Sequence, residues 1–180
     1  MIVMVTGHRK LVPLNHQGNE WPDSNPVVSA HHDIIRNQIA DWCYTKSTIE
    51  PTNFITGMAI GADQLFAEAI IMVKKYIDCT LTAAIPFLGQ ETKWPAISQK
   101  RYRHILSQCD KIVYVCDPGY APWKMQKRNE WMVDNSNLVL AIWDGRTTGG
   151  THNCVAYAKS KGRLIECINP TTVNSTITMR

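Results

Sequence analysis

Phe54-Ile55-Thr56-Gly57-Met58-Ala59-Ile60-Gly61-Ala62-Asp63 is the stretch whose reading decides the fold. A short apolar run stops at a glycine, and from Ala62 to Met72 apolar residues recur at helical spacing, the pattern of a strand, a tight turn and a helix. Gly57 and Gly61 let the backbone turn sharply and come close to a ligand with no Cβ in the way. The N–H groups at the start of the helix then face the turn. With about half a positive charge there, such a junction suits a phosphate or another anion. Two glycines after a strand also serve plain packing. Gly57, Met58, Gly61, Ala62 and Asp63 therefore become candidate ligand contacts only if other turns converge on the same place.

Upstream, Met1-Ile2-Val3-Met4-Val5 is a continuous apolar run ended by Thr6-Gly7-His8-Arg9, which reads as a buried strand feeding a second such turn. From Lys10 to Pro26 the pattern gives way to a polar loop with Pro13, Pro22, Pro26 and Trp21, either a lid over the site or a surface excursion tacked down by Trp21. Ser29 can cap a helix running to about Lys46, with Ile34, Ile35, Ile39, Trp42 and Cys43 on one face.

Downstream, Cys79 to Ile85 forms a strand stopped by Pro86-Phe87, and a loop from Gly89 to Pro95 carries Trp94. A basic helix from Ala96 to Gln108 leads to a strand from Lys111 to Cys116. Another helix runs from about Trp123 to Asn135. Asn137 to Trp143 is the clearest buried strand and ends at Asp144-Gly145. After Arg146-Thr147-Thr148 come Gly149-Gly150-Thr151, a helix to about Lys161 with Gly162 past its end, and a last strand from Arg163 to Ile168. Residues from Asn169 onward, rich in Thr and Ser, read as a tail. Six apolar runs alternating with helices predict one α/β domain over residues 1–168, with a doubly wound, mainly parallel sheet in which Val3, Val5, Ile55, Ala84, Val113, Leu140 and Ile142 are buried. In such sheets ligands sit beyond the carboxyl ends of the strands, where all these turns fall.

Composition narrows the function classes. A chain of 180 residues, 44% hydrophobic and 19% charged, can build a proper core and lacks the signature of disorder. The net charge of +4 is mild, with basic clusters at Lys100, Arg101 and Arg103 and at Lys124, Lys127 and Arg128, and suits an anionic small ligand as readily as nucleic acid. Six cysteines without a C-x-x-C pair, mostly inside apolar runs, fit a reduced compartment. No basic leader with a long apolar core and no apolar stretch of about 18 residues is present, so a cytoplasmic protein without a membrane partner is expected. Six histidines without ligand spacing predict no metal site, and no cofactor is expected.

Thr6-Gly7-His8-Arg9, Ile55-Thr56-Gly57-x-x-x-Gly61-x-Asp63, Ile85-Pro86-Phe87 with Trp94, Gln126-Lys127-Arg128-Asn129-x-x-Met132-Val133-Asp134, and Asp144-Gly145 followed by Gly149-Gly150-Thr151 together resemble the YpsA-like group of the SLOG superfamily, over about residues 1–168. That superfamily also holds the LOG phosphoribohydrolases, the DNA-processing protein DprA and sensors of nucleotide-derived signals. The resemblance implies a Rossmann-like fold and a nucleotide-class ligand. The LOG enzymes carry P-G-G-x-G-T-x-x-E, whose glutamate works with an arginine on an N-glycosidic bond. Here no carboxylate stands at 152–155, which favours a binder over a hydrolase.

Each candidate has two readings. Gly149 and Gly150 permit close approach of a phosphate and Thr151 offers its hydroxyl, or the three form an ordinary capped turn, with Thr148, Asp144 and Gly145 beside them. Arg9 can grip a phosphate or pair with a surface carboxylate, and His8 can reach the same rim. Asp63 accepts ribose hydroxyls or complements the helix dipole. Lys127, Arg128 and Asn129 line the pocket or form a solvated helix face. Phe87 and Trp94, after Pro86, stack on a base or pack the loop. The expected function is binding of a nucleotide or nucleotide-derived signal by a sensor or sequestering protein, which can be homo-oligomeric. A LOG-like phosphoribohydrolase is the first alternative and a DprA-like single-strand DNA binder the second, with nucleic-acid binding expected to be weak because the charge is modest and interrupted by acids such as Glu91 and Glu130.

Overall fold

The structure, a computed structural model, describes residues 1–11 and 25–172, and the backbone of 176–179. Pro13, Trp21 and Pro22 of the expected lid loop lie outside the described residues, while Pro26 belongs to the helix that follows. Six strands run parallel: β1 (Ile2–Gly7), β2 (Thr52–Thr56), β3 (Cys79–Ile85), β4 (Lys111–Tyr114), β5 (Leu138–Ile142) and β6 (Leu164–Ile168). A seventh, β7 (Thr176–Met179), pairs antiparallel with β6, so the sheet order is β4-β3-β2-β1-β5-β6-β7. The part of the chain read as a tail thus adds a strand. Its Thr-rich sequence lacks the apolar signal because an edge strand need not be buried on both faces.

Five helices connect the parallel strands: α1 (Pro26–Ile49), α2 (Ala62–Val73), α3 (Ala96–Leu106), α4 (Trp123–Asp134) and α5 (Gly150–Ser160). α1 starts earlier than a Ser29 cap implies. The Asn25 side chain accepts from the Val27 N–H at 2.9 Å, and Pro26 takes the first helical position, where its missing N–H costs nothing. The strands alternate between two cores. Val3, Val5, Leu138, Leu140 and Ile142 pack with α1, α2 and α3 on one face, while Met4, Val139, Ala141 and Trp143 pack with α4 and α5 on the other. Glu166 of β6 is buried yet satisfied, accepting from Trp42 Nε1 at 2.7 Å and Lys46 Nζ at 2.6 Å, which ties α1 to β6.

Of the residues expected in the core, Val113 is only half-buried. β4 is the edge of the parallel sheet, and its neighbours Ile112 and Tyr114 are exposed. Strand order reverses at β1, which lies between β2 and β5. The crevice beyond that reversal is where an open α/β sheet receives ligands. No helix among the described residues is long and apolar enough to cross a membrane.

Candidate functional site

A cavity of about 220 Å³ opens at the reversal, lined by Thr6, Gly7, His8 and Arg9 after β1, Ala59 and Asp63 around the start of α2, Met125, Arg128 and Asn129 of α4, and Gly150 and Thr151 of α5. Four separate segments converge here because each strand ends at the same edge. On α4 the spacing 125, 128, 129 puts three side chains on one helical stripe.

The turn after β2 is filled by protein. Arg128 is buried, and its Nη1 donates to the Gly57 carbonyl and lies 3.4 Å from Asp63 Oδ2. A Cβ on Gly57 would overlap that guanidinium and stand 2.7 Å from the Asp63 carboxylate. Gly61, at φ 94°, has the exit of β1 against it, so a Cβ there would sit 2.5 Å from the His8 carbonyl oxygen. That carbonyl accepts from the Ala62 N–H at 3.0 Å, so the protein itself caps this helix start. Met58, wholly buried at φ 58°, is the one non-glycine residue with positive φ among those described, and its N–H donates to Thr56 Oγ1 at 3.2 Å. Gly57, Met58, Gly61 and Ala62 therefore shape the turn from behind and do not line the cavity.

The turn before α5 is different. Gly149 (φ 92°) is the N-cap and, among the described residues, no side chain caps the helix and a Cβ on Gly149 or Gly150 would meet nothing within 4 Å. The first-turn N–H groups carry the positive end of the helix dipole toward open space beside Thr151.

Asp63 and Arg128 form a buried pair. Burial pushes the Asp63 carboxyl up, opposed by the Arg128 charge and the Ala59 N–H at 3.2 Å. Burial likewise pushes the guanidinium down, opposed by Asp63. A guanidinium keeps its proton in any protein setting, so Arg128 holds its positive charge at the cavity wall, opposed by Asp63. Arg128 Nε is buried with no hydrogen-bond partner among the described residues. Behind the cavity Cys154, the third residue after Thr151, has no exposure, and burial pushes its thiol up to about 11.

Several sequence candidates fall elsewhere. Asp144 accepts two hydrogen bonds from the Arg146 side chain, at 3.0 and 2.6 Å on Oδ2, and lies 2.8 Å from His8 Nε2, so it orients His8 from outside the cavity. Burial would raise its carboxyl, but Arg146 and His8 together hold it well below the usual carboxylate range. Gly145 and Thr148 are exposed on the same loop. Trp94 packs edge-on against Tyr102, with ring centroids 5.5 Å apart, and Phe87, buried after Pro86, meets Tyr120 at 5.9 Å; both secure loops. The trio Lys127-Arg128-Asn129 is split by the 100° helical step, with Lys127 exposed on a different face. Thr6, Ala59 and Met125 line the cavity without having been singled out. The α4 stripe through Arg128 could have revealed Met125, whereas nothing in sequence flags Ala59.

A family model, YpsA, described as "YspA SLOG family", matches residues 3–172. The SPbeta prophage-derived protein YoqJ of Bacillus subtilis is 38% identical over 118 residues, covering 59% of this chain and 68% of YoqJ. A UPF0398 protein of Bacillus cereus is 30% identical over 168 residues, 91% of this chain and 85% of the relative. Among solved structures, DprA of Streptococcus pneumoniae superposes with a TM-score of 0.61 at 16% identity, covering 93% of this chain and 50% of that one; this chain thus spans half the length of that protein. DprA of Helicobacter pylori, whose structure is described by its single-stranded DNA binding mode, gives 0.57 at 15% identity, over 94% and 65%. TM1055 gives 0.52 at 16%, over 91% and 71%. The structural likenesses bear on fold alone.

Proposed function

The chain belongs to the YspA SLOG family, and from that premise we propose that it binds the phosphate-bearing end of a nucleotide or nucleotide-derived signal at the sheet reversal, as a cytoplasmic sensor or sequestering protein. One observation carries this reading: the N-terminus of α5, with no side-chain cap among the described residues, shares its cavity with the buried guanidinium of Arg128. An anion there would accept from the α5 N–H groups and be drawn by the guanidinium charge in the wall. Arg9 and Arg128 against Asp63 leave a positive surplus before the helix dipole is added. At about 220 Å³ the cavity falls below the roughly 300–1,000 Å³ of sites that enclose a whole ligand, so the phosphate end enters and the rest lies at the rim. Likeness to a prophage-derived relative supports the sequestering role.

Binding is favoured over hydrolysis because Asp63, the one carboxylate among the described lining residues, is already held by Arg128 and by the Ala59 N–H. Single-stranded DNA is disfavoured by what the basic residues already do. Arg101 grips Glu68 through two hydrogen bonds, Arg103 donates to Gln99, Lys124 is spent on three carbonyls and Arg128 is buried. Calorimetry against nucleoside monophosphates and cyclic dinucleotide-type ligands tests the reading. Saturable binding without release of free base is expected; no heat and no thermal shift across the panel, or steady release of base from AMP, would overturn it.

A further inference from the structure

A second, larger cavity of about 620 Å³ lies beyond the carboxyl end of β4, on the other side of α4 from the phosphate cavity. Its walls include Tyr114, at the last position of β4, and Trp123, at the first of α4, which are 50% and 60% exposed. Large aromatic faces left to solvent around a concavity are unusual on a soluble domain unless something covers them. The loop between them is held in place from inside: Lys124 Nζ donates to the carbonyl oxygens of Asp117, Pro118 and Gly119 at 2.7, 3.2 and 2.8 Å. The cavity is thus preformed, as small-molecule sites usually are.

Beside Lys124, which the loop carbonyls occupy, two charges in this lining are unspent. Lys127 projects from α4 with no ionic or hydrogen-bond partner, and the Asp117 carboxylate has none either, among the described residues. The first turn of α4, whose cap is Pro122, has no side-chain cap among the described residues and adds a preference for an anion near Trp123. A ligand matching this set has a flat π-face for Trp123 or Tyr114, a donor edge for Asp117 and an anionic group for Lys127. We propose that this cavity is a binding site for a purine nucleoside monophosphate carrying an exocyclic amino group, distinct from the phosphate cavity at α5. Stacking between base and aromatic ring supplies most of the affinity, as on single-strand platforms, while the carboxylate selects amino-bearing bases. A protein partner fits less well, because the free charges lie inside a concavity of one-ligand size.

The test is a titration of full-length protein with AMP, following the ¹⁵N indole resonance of Trp123, assigned by its loss in a Trp123→Phe variant. AMP should move that resonance saturably, adenosine should move it with at least tenfold weaker affinity, and inorganic phosphate should leave it still. Lys127→Glu should weaken AMP at least tenfold, and Asp117→Asn should abolish the preference for AMP over IMP. Gly150→Val, which obstructs only the α5 cavity, should leave the Trp123 response intact, so failure at one site is separable from failure at the other. An indole resonance unmoved by AMP up to about 5 mM, moved equally by phosphate alone, or lost on Gly150→Val would overturn the proposal.

Discussion

Two glycine turns lead into two helices at the same edge of the sheet. At Gly57 and Gly61 the space a Cβ would need is taken by Arg128, Asp63 and the backbone of His8 and Arg9; at Gly149 and Gly150 no described residue takes it. The first helix start receives its cap from the His8 carbonyl, while the second has no side-chain cap. Both satisfy the sequence criterion for close backbone approach. The difference teaches that a glycine turn reports only that something must come near, and the protein's own atoms are one answer. In this molecule the closed turn builds the wall, by seating Arg128, and the open turn offers the N–H groups.

The sharpest way to break that contrast is to substitute the closed turn. Gly57→Ala drives the Arg128 guanidinium from its seat and strands Asp63 in the interior, so a loss of about 3–5 kcal/mol in urea unfolding is expected, comparable to breaking a buried ion pair. Adding Arg128→Met to Gly57→Ala should recover part of that loss, because the two changes share one space. Gly61→Ala should cost about 2 kcal/mol or more, since φ 94° alone costs a side chain about 1–2 kcal/mol and the His8 carbonyl stands 2.5 Å from the added Cβ. Either variant unfolding within about 0.5 kcal/mol of the parent would remove the distinction between the turns.

A titration sharpens the comparison further. Asp144 is held below its unfolded value, so its stabilising contribution is complete above about pH 4 and fades as pH falls toward the folded value. Asp144→Asn should flatten that acid limb and free His8. Asp63 is shifted the opposite way by burial, so over a window beginning near pH 4 it removes stability as pH rises, and Asp63→Asn should leave the limb steeper. Stability measured between about pH 2 and 7 checks both signs. The smallest effect belongs to the open turn: Gly150→Ala, with no contact within 4 Å, should change unfolding by no more than about 0.5 kcal/mol.

Much of the fold was legible because a buried parallel strand writes a continuous apolar run. β3 matches Cys79 to Ile85 residue for residue, and the other parallel strands fall within two residues of their apolar runs. Illegible parts obey forces that leave no such run. β7 is an edge strand of Thr and Ile, α1 begins at an Asn-Pro pair that also spells a turn, and Val113 sits on an edge where burial is incomplete. For the site, sequence supplied residue types but not directions. Lys127, Arg128 and Asn129 are adjacent in the chain, yet the helical step sends Lys127 to one cavity and Arg128 and Asn129 to the other, with Arg128 buried in its wall. The approach to Gly57 was inferable. That an arginine 71 residues downstream makes it was not.

The most direct test of the contrast is a ¹H–¹⁵N titration of the full chain with nucleoside monophosphates, reading the backbone amides of both turns in one experiment. The Gly150 and Thr151 amides should move most and saturably, with the Gly61 and Ala62 amides nearly still because the latter already donates to His8. Largest shifts at Gly61 and Ala62, or no shift at either turn, would contradict it.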